Sequence, residues 1–376
     1  MSAEKKKREG FVVGKRQYEK PGIEVKLVGV VIILLLVIIE GTSFFGILGG
    51  IKEYWLRTLI AEMLVVLPGL VFLFWDRKQF VPMLRIKPVK IRVILMAVLV
   101  EICAMPLMSM CNLITQMFTP NVVEVSIGGN IAETPYILMI LSMGVSASVL
   151  EECLSRGLIF SAFKRSGRIK ASILFTSLCF ALIHGNINQF AYAFVVGIVM
   201  ALVVEATDSI ITTMAMHFFT NVLSITMMYY LYYSDIAIKQ TNELLGTGDN
   251  KFAELMVDSE AMGMFATMVK ITTVLIVAGL AVLGIVGIYK LLGRMALISG
   301  RYEHMKSFMP QFGIFRMRNK YIDKMEEANG HIATTDTISD LPRTGIMNIY
   351  LAVGIILWIG VAVVYELMVQ GVIVIK

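Results

Sequence analysis

The sequence predicts an all-α, polytopic integral membrane helix bundle of about eight or nine transmembrane helices, and three observations predict it. Hydrophobic residues make up 57% of the 376 positions and charged residues only 16%, with a mean hydropathy of +0.76, far from the balance of a soluble globular chain. Apolar runs last about 18 to 28 residues, enough to cross a hydrocarbon layer roughly 30 Å thick at about 1.5 Å per residue. The alternating strands of an outer-membrane barrel are absent, so helices, which satisfy their own backbone, are the default.

Residues 1–26 are polar and basic and lack the short apolar core and small-residue cleavage site of a removed signal peptide, so Leu27 onward is expected to be a retained anchor. From there residues 27–376 read as one membrane domain. Nine candidate spans follow in order, at about 27–50, 57–75, 93–118, 136–163, 171–187, 190–206, 209–233, 266–293 and 346–369. No internal repeat or low-complexity tract interrupts them.

Loop lysine and arginine orient the bundle. The tail holds Lys5, Lys6, Lys7, Arg8, Lys15, Arg16, Lys20 and Lys26, and the second connection holds Arg77, Lys78, Arg85, Lys87, Lys90 and Arg92, which puts both inside. The stretch TPNVVEVSIGGNIAETP carries no base, and Ser234 to Phe265 has two bases against six acids, so these lie outside. Lys164, Arg165, Arg168 and Lys170 return to the inside, as does a cytoplasmic connection over 294–345, whose Arg294 to Arg343 stretch has eight bases. Its stretch from Arg301 to His331 reads equally as an interfacial helix or a solvated loop. The acidic turn VVEATDS, Val203 to Ser209, also falls inside, against the local charge. The expected location is the cell membrane, multi-pass, with the N-terminus cytoplasmic and the C-terminus outside.

Polar groups inside the spans mark a site. An ionisable side chain at such depth costs on the order of 3 kcal/mol, so it faces the protein interior and finds partners. In LEECLSRGLIF, Glu152 and Arg156 stand four apart on one helix face, while Glu151 points about 100° away, free for chemistry. LCFALIHGNINQF pairs Phe180 with His184 at the same spacing, and MAMHFFTNVL pairs His217 with Asn221. A desolvated carboxylate beside imidazoles suits proton abstraction from water, and His217 with Asn221 offers two donors from one face to a developing oxyanion. Counted from the inside ends, Glu151 lies about 18 Å deep, His184 about 20 Å and His217 about 12 Å. The three groups are expected to meet in the inner half of the membrane, reached from the cytoplasmic side.

These three motifs, E-E-x-x-x-R, F-x-x-x-H and H-x-x-x-N in that order, resemble those of the CAAX protease and bacteriocin-processing family, relatives of the type II CAAX prenyl endopeptidase. The resemblance covers 136–233 as a protease-like core. It implies an intramembrane glutamate-type endopeptidase in which Glu151 activates the water aided by His184, His217 and Asn221 hold the oxyanion, Glu152 and Arg156 give structural support, and Phe180 shapes the cavity. No cofactor is implied, and the partners are a peptide or membrane-protein substrate and the lipid bilayer, with no nucleic acid.

Other readings of the same residues stand beside this one. Glu151, His184 and His217 also make a zinc ligand set with an open position, although H-E-x-x-H is absent. Alternatively the motif residues hold helices together in a scaffold or immunity partner. Glu40, Glu62, Glu101, Lys270 and Glu366 are scattered without the paired interrupted helices of a transporter. The four cysteines, Cys103, Cys111, Cys153 and Cys179, show no C-x-x-C spacing, and thiols in apolar runs are inert. The many methionines read as packing rather than a copper site.

Overall fold

A computed structural model of the chain describes residues 23–44, 46–75, 77–121, 127–244, 260–309 and 345–369. Every regular element among them is helical: α1 (Ile23–Phe44), α2 (Tyr54–Trp75), α3 (Arg77–Leu84), α4 (Ile91–Thr115), α5 (Tyr136–Lys164), α6 (Ile169–Ile183), α7 (Ile187–Thr207), α8 (Ile211–Leu244), α9 (Glu260–Ile298), α10 (Tyr302–Phe308) and α11 (Ile349–Val369). Seven of these, α2, α4, α5, α7, α8, α9 and α11, are long and apolar enough to cross a membrane.

Of the two other expected spans, α1 is helical over 22 residues, Ile23–Phe44, and α6 over only 15. Helix α6 stops because Gly185 takes a left-handed φ of +67°. Buried Asn186 then opens α7 by accepting a hydrogen bond from the Gln189 N–H at 2.9 Å. The chain thus reverses about 22 Å from the start of α6, a depth where exposed backbone ends are tolerated only inside protein. Of the expected tail, 23–26 open α1 and 1–22 lie outside the described residues. Of the expected connection over 294–345, residues up to Ile298 complete α9 and Tyr302–Phe308 form α10, while 310–344, with His331, lie outside the described residues.

Close helix crossings set the bundle's shape. A Cβ on Gly284 of α9 would stand 2.0 Å from the Cys103 carbonyl oxygen of α4, and one on Gly29 of α1 would stand 2.4 Å from the Leu351 nitrogen of α11. Small residues allow this approach, which supplies packing where lipid offers no hydrophobic gain. Helix α7 is the most enclosed span, packed between α4, α6 and α9. Helix α5 is not a regular α-helix: π-type turns at Ile140–Ser146 and Cys153–Ile159 flank the α-helical Ala147–Glu152. Such turns leave carbonyls out of the usual ladder and recur at functional sites.

The two ends of the bundle differ in charge. At one end Glu205, fully buried at the close of α7, accepts from Lys164 at 2.8 Å, Arg85 at 3.1 Å and His304 of α10 at 2.6 Å. Asp208 caps α7 in a left-handed conformation and takes Arg85 at 2.7 Å, and Lys87 as well. Burial pushes the Asp208 carboxyl up, the Arg85 and Lys87 charges pull it down by more, and it rests at about 2. The acidic turn VVEATDS therefore lies among bases because it is their partner. At the opposite end Asn188 donates to Asn112 at 2.9 Å, Tyr136 pairs with Thr226 at 2.7 Å, and Ile127, Ile131, Ile225 and Tyr229 form a small core.

Candidate active site

Glu151 and Glu152 come from the regular turn between the two π-type turns of α5, and Arg156 from the second of those π-type turns. Glu152 and Arg156, both fully buried, form an ion pair at 2.6 Å on one face, as their spacing predicts. Arg156 also lies over the Phe180 ring at 4.0 Å, so the aromatic residue of α6 supports the cation as well as the cavity wall. The same Glu152 oxygen receives His217 Nδ1 from α8 at 3.3 Å, a contact the spacing alone did not predict.

Each histidine's hydrogen bond fixes its useful nitrogen. His184 sits at the C-terminal end of α6, and its Nδ1 donates to the Phe180 carbonyl at 2.8 Å, since a carbonyl only accepts. The Nε2 of His184 is then the acceptor in the neutral ring. His217 Nδ1 likewise faces a carboxylate acceptor, which leaves its Nε2 toward the cavity side of the ring pair. The Phe180 ring meets His184 edge-on at 5.0 Å between centroids and His217 at 6.1 Å, and this wedge sets the two imidazoles on either side of one aromatic. Asn221, one turn beyond His217, donates to the Met143 carbonyl at 2.9 Å, in the first π-type turn of α5. One of its two amide hydrogens is thereby engaged and the other is left over.

Glu151, Phe180, His184, His217 and Asn221 all line a single cavity of about 890 Å³. Glu151 stands close enough to both imidazoles for its charge to act on them, and its Oε2 is buried with no hydrogen-bond partner. Glu152 and Arg156 do not line the cavity. They form its backing. Two further carboxylates that the sequence left among scattered groups line it as well. Glu62 of α2 comes within hydrogen-bonding reach of Glu151. Glu101 of α4, fully buried, accepts from Thr220 at 2.6 Å while its Oε2 has no partner. The signal that identifies them was present: both lie in mid-span at depths comparable to Glu151. Glu366 is buried in α11 away from this cavity, and the side chains of Glu40 and Lys270 lie outside the described residues.

The cavity's direction corrects the expected access. Its lining runs from Glu151 and His217 along α8 to Leu231 and Tyr232, and includes Asn112 of α4 and Ile131. From His217 to Tyr232 that is about 22 Å of helix. None of the lining residues belongs to the cluster around Glu205 and Asp208. The passage leads to the end opposite the bases, where the depth count alone had placed access on the basic side.

A family model described as type II CAAX prenyl endopeptidase Rce1-like matches residues 133–223, about a quarter of the chain. Over that segment the chain is similar to the CAAX protease family. That family comprises membrane-embedded endopeptidases, which are hydrolases. No curated protein and no solved structure matches the chain. The matched segment contains all seven motif residues, from Glu151 to Asn221, and takes in α5, α6, α7 and the first part of α8. Glu62 and Glu101 lie before it. Among the described residues no group of three or more His, Cys, Asp or Glu side chains is arranged to hold a metal ion, so the zinc ligand set of Glu151, His184 and His217 is not assembled as one. Cys153 is half-buried and Cys179 is buried; neither lines the cavity.

Proposed function

We propose that the chain hydrolyses a peptide bond within a membrane-associated peptide or protein by a glutamate-activated water. The carrying observation is that Glu151 from α5, His184 from α6 and His217 from α8 line one cavity, with Glu151, unlike the neighbouring Glu152, held in no ion pair. Water held between Glu151 and His184 Nε2 loses its proton to Glu151 as its oxygen attacks the carbonyl carbon. The carbonyl oxygen becomes an oxyanion that accepts from His217 Nε2–H and from the remaining Asn221 amide hydrogen. For Nε2 to donate, the His217 ring carries both protons, and Glu152 is the counter-ion placed for that form. Collapse of the intermediate breaks the C–N bond, the abstracted proton passes to the leaving amine, and the products are a carboxylate and an amine.

Positioned general-base catalysis contributes about 10² to 10⁴-fold, and a single oxyanion donor about 10² to 10³-fold. Glu151→Gln is therefore expected to abolish cleavage, and Asn221→Ala to slow it by about 10²-fold with KM little changed. The assay is turnover of a membrane peptide by purified protein in lipid. Full turnover in Asn221→Ala protein would remove the oxyanion role assigned to the amide.

A further inference from the structure

The catalytic reading leaves two features unexplained: where the cavity leads, and why so many carboxylates surround it. Glu62, Glu101 and Glu151 line it and Glu152 stands directly behind, whereas Arg156, the one guanidinium at this centre among the described residues, lies outside the lining. No lysine or arginine lines the cavity among the described residues. Glu101 is fully buried, is anchored through one oxygen by Thr220, and presents a second oxygen with no partner. As an anion, a desolvated carboxylate with half its acceptor capacity unmet is expensive; it is relieved by a proton or by a cation that completes it. The passage also leaves at the end away from Arg85, Lys87, Lys164 and Arg301, toward Ile131 and the exposed Leu231. Lysine- and arginine-rich loops stay on the cytoplasmic side of a membrane protein. The connections at the cavity's own end include the base-free stretch Thr119 to Pro135, the acidic stretch after Tyr233, and the short run before Tyr54, where Lys52 stands beside Glu53.

We propose that the substrate is a cationic peptide, with a lysine or arginine near the scissile bond, entering from the non-cytoplasmic side, and that Glu62 and Glu101 receive its charge. The chemistry of cleavage rests on the reading given above; the direction of entry and the charge preference do not require it. An acidic passage raises the local concentration of a cationic peptide and screens out an anionic one, since like charges in a narrow low-dielectric cleft repel strongly. The acids are thus selectivity elements around a carboxylate, Glu151, that does the chemistry.

Two measurements on the full chain test this, and neither depends on turnover. Leu231→Cys and Lys90→Cys are labelled with a membrane-impermeant maleimide in intact cells, with the wild-type chain and its four cysteines as background. Leu231→Cys is expected to label in intact cells and Lys90→Cys only after permeabilisation; the reverse pattern overturns the entry side. Binding of a lysine-containing peptide and of its glutamate-substituted counterpart to the Glu151→Gln chain in nanodiscs is then compared. The lysine peptide is expected to bind at least about tenfold more tightly, with the ratio shrinking toward one in Glu62→Gln or Glu101→Gln and in high salt. Equal binding, tighter binding of the anionic peptide, or a ratio insensitive to salt overturns the charge preference. A chain that passes both tests yet cleaves nothing loses its protease mechanism and keeps this inference.

Discussion

Removing the Glu152 carboxylate leaves Arg156 buried with two further guanidinium nitrogens already lacking partners, Nε and Nη2. Breaking a buried pair in this way costs about 3–5 kcal/mol, so Glu152→Ala is expected to lower unfolding stability by that amount and to release His217 from its orientation. Unfolding in mixed micelles measures it, and a stability within about 0.5 kcal/mol of wild type would show that the pair is not structural. At this scale the sequence was informative wherever partners share a helix. Glu152 with Arg156 and Phe180 with His184 follow from a four-residue spacing, and both pairs meet as that spacing requires. It was silent where partners come from different helices. Nothing in the order of residues pairs His217 with Glu152, or brings Glu62 to Glu151 and Thr220 to Glu101, because such contacts depend on which faces the bundle turns toward each other.

Span existence was legible from apolar run length, and α2, α4, α5, α7, α8, α9 and α11 fall close to the expected ranges. The break expected after 187 falls at Gly185 and the Asn186 cap; what run length concealed is that α6, only 15 residues long, ends inside the bundle, where α7 begins. The turn chemistry at Gly-Asn is the better guide there than hydropathy. The π-type turns of α5 left no signature in its apolar pattern. Packing at the level of elements makes a sharper prediction. Gly284→Leu forces a side chain into the Cys103 backbone where α9 meets α4, whereas Gly279, on the same helix, has nothing within 4 Å of an added Cβ. Overpacking of this kind costs about 1–3 kcal/mol or more. Thermal unfolding is expected to fall by several degrees for Gly284→Leu and to stay near wild type for Gly279→Ala; equal effects would mean that the α4–α9 crossing is looser than described.

Across the whole molecule, one end is closed by ion pairs that join four segments, and the other receives the cavity. The closed end carries a pH dependence whose sign is determined. Asp208 has a folded value of about 2 against an ordinary 3.8. It therefore contributes stability that is fully present above about pH 4 and is lost as the pH falls toward about 2. Asp208→Asn is expected to flatten the unfolding midpoint across that window while lowering it at neutral pH, and an acid limb unchanged by the substitution would assign the loss to other groups. The charge asymmetry between the ends was legible in loop composition, and the acidic turn that broke the pattern proved to be the counter-charge of the bases around it. The orientation of the cavity was not legible, because counting residues from span ends gives depth but not the face along which a passage runs.

The central claim is that Glu151 is the base of a hydrolytic site it shares with His184 and His217. The most direct measurement is the rate at which purified wild-type and Glu151→Gln chains cleave a membrane-bound lysine-containing peptide, with the unfolding midpoint of each recorded in the same lipid. The account predicts cleavage by the wild type, a loss of at least about 10³-fold in the variant and coincident midpoints; a correctly folded variant that still turns over at the wild-type rate would contradict it.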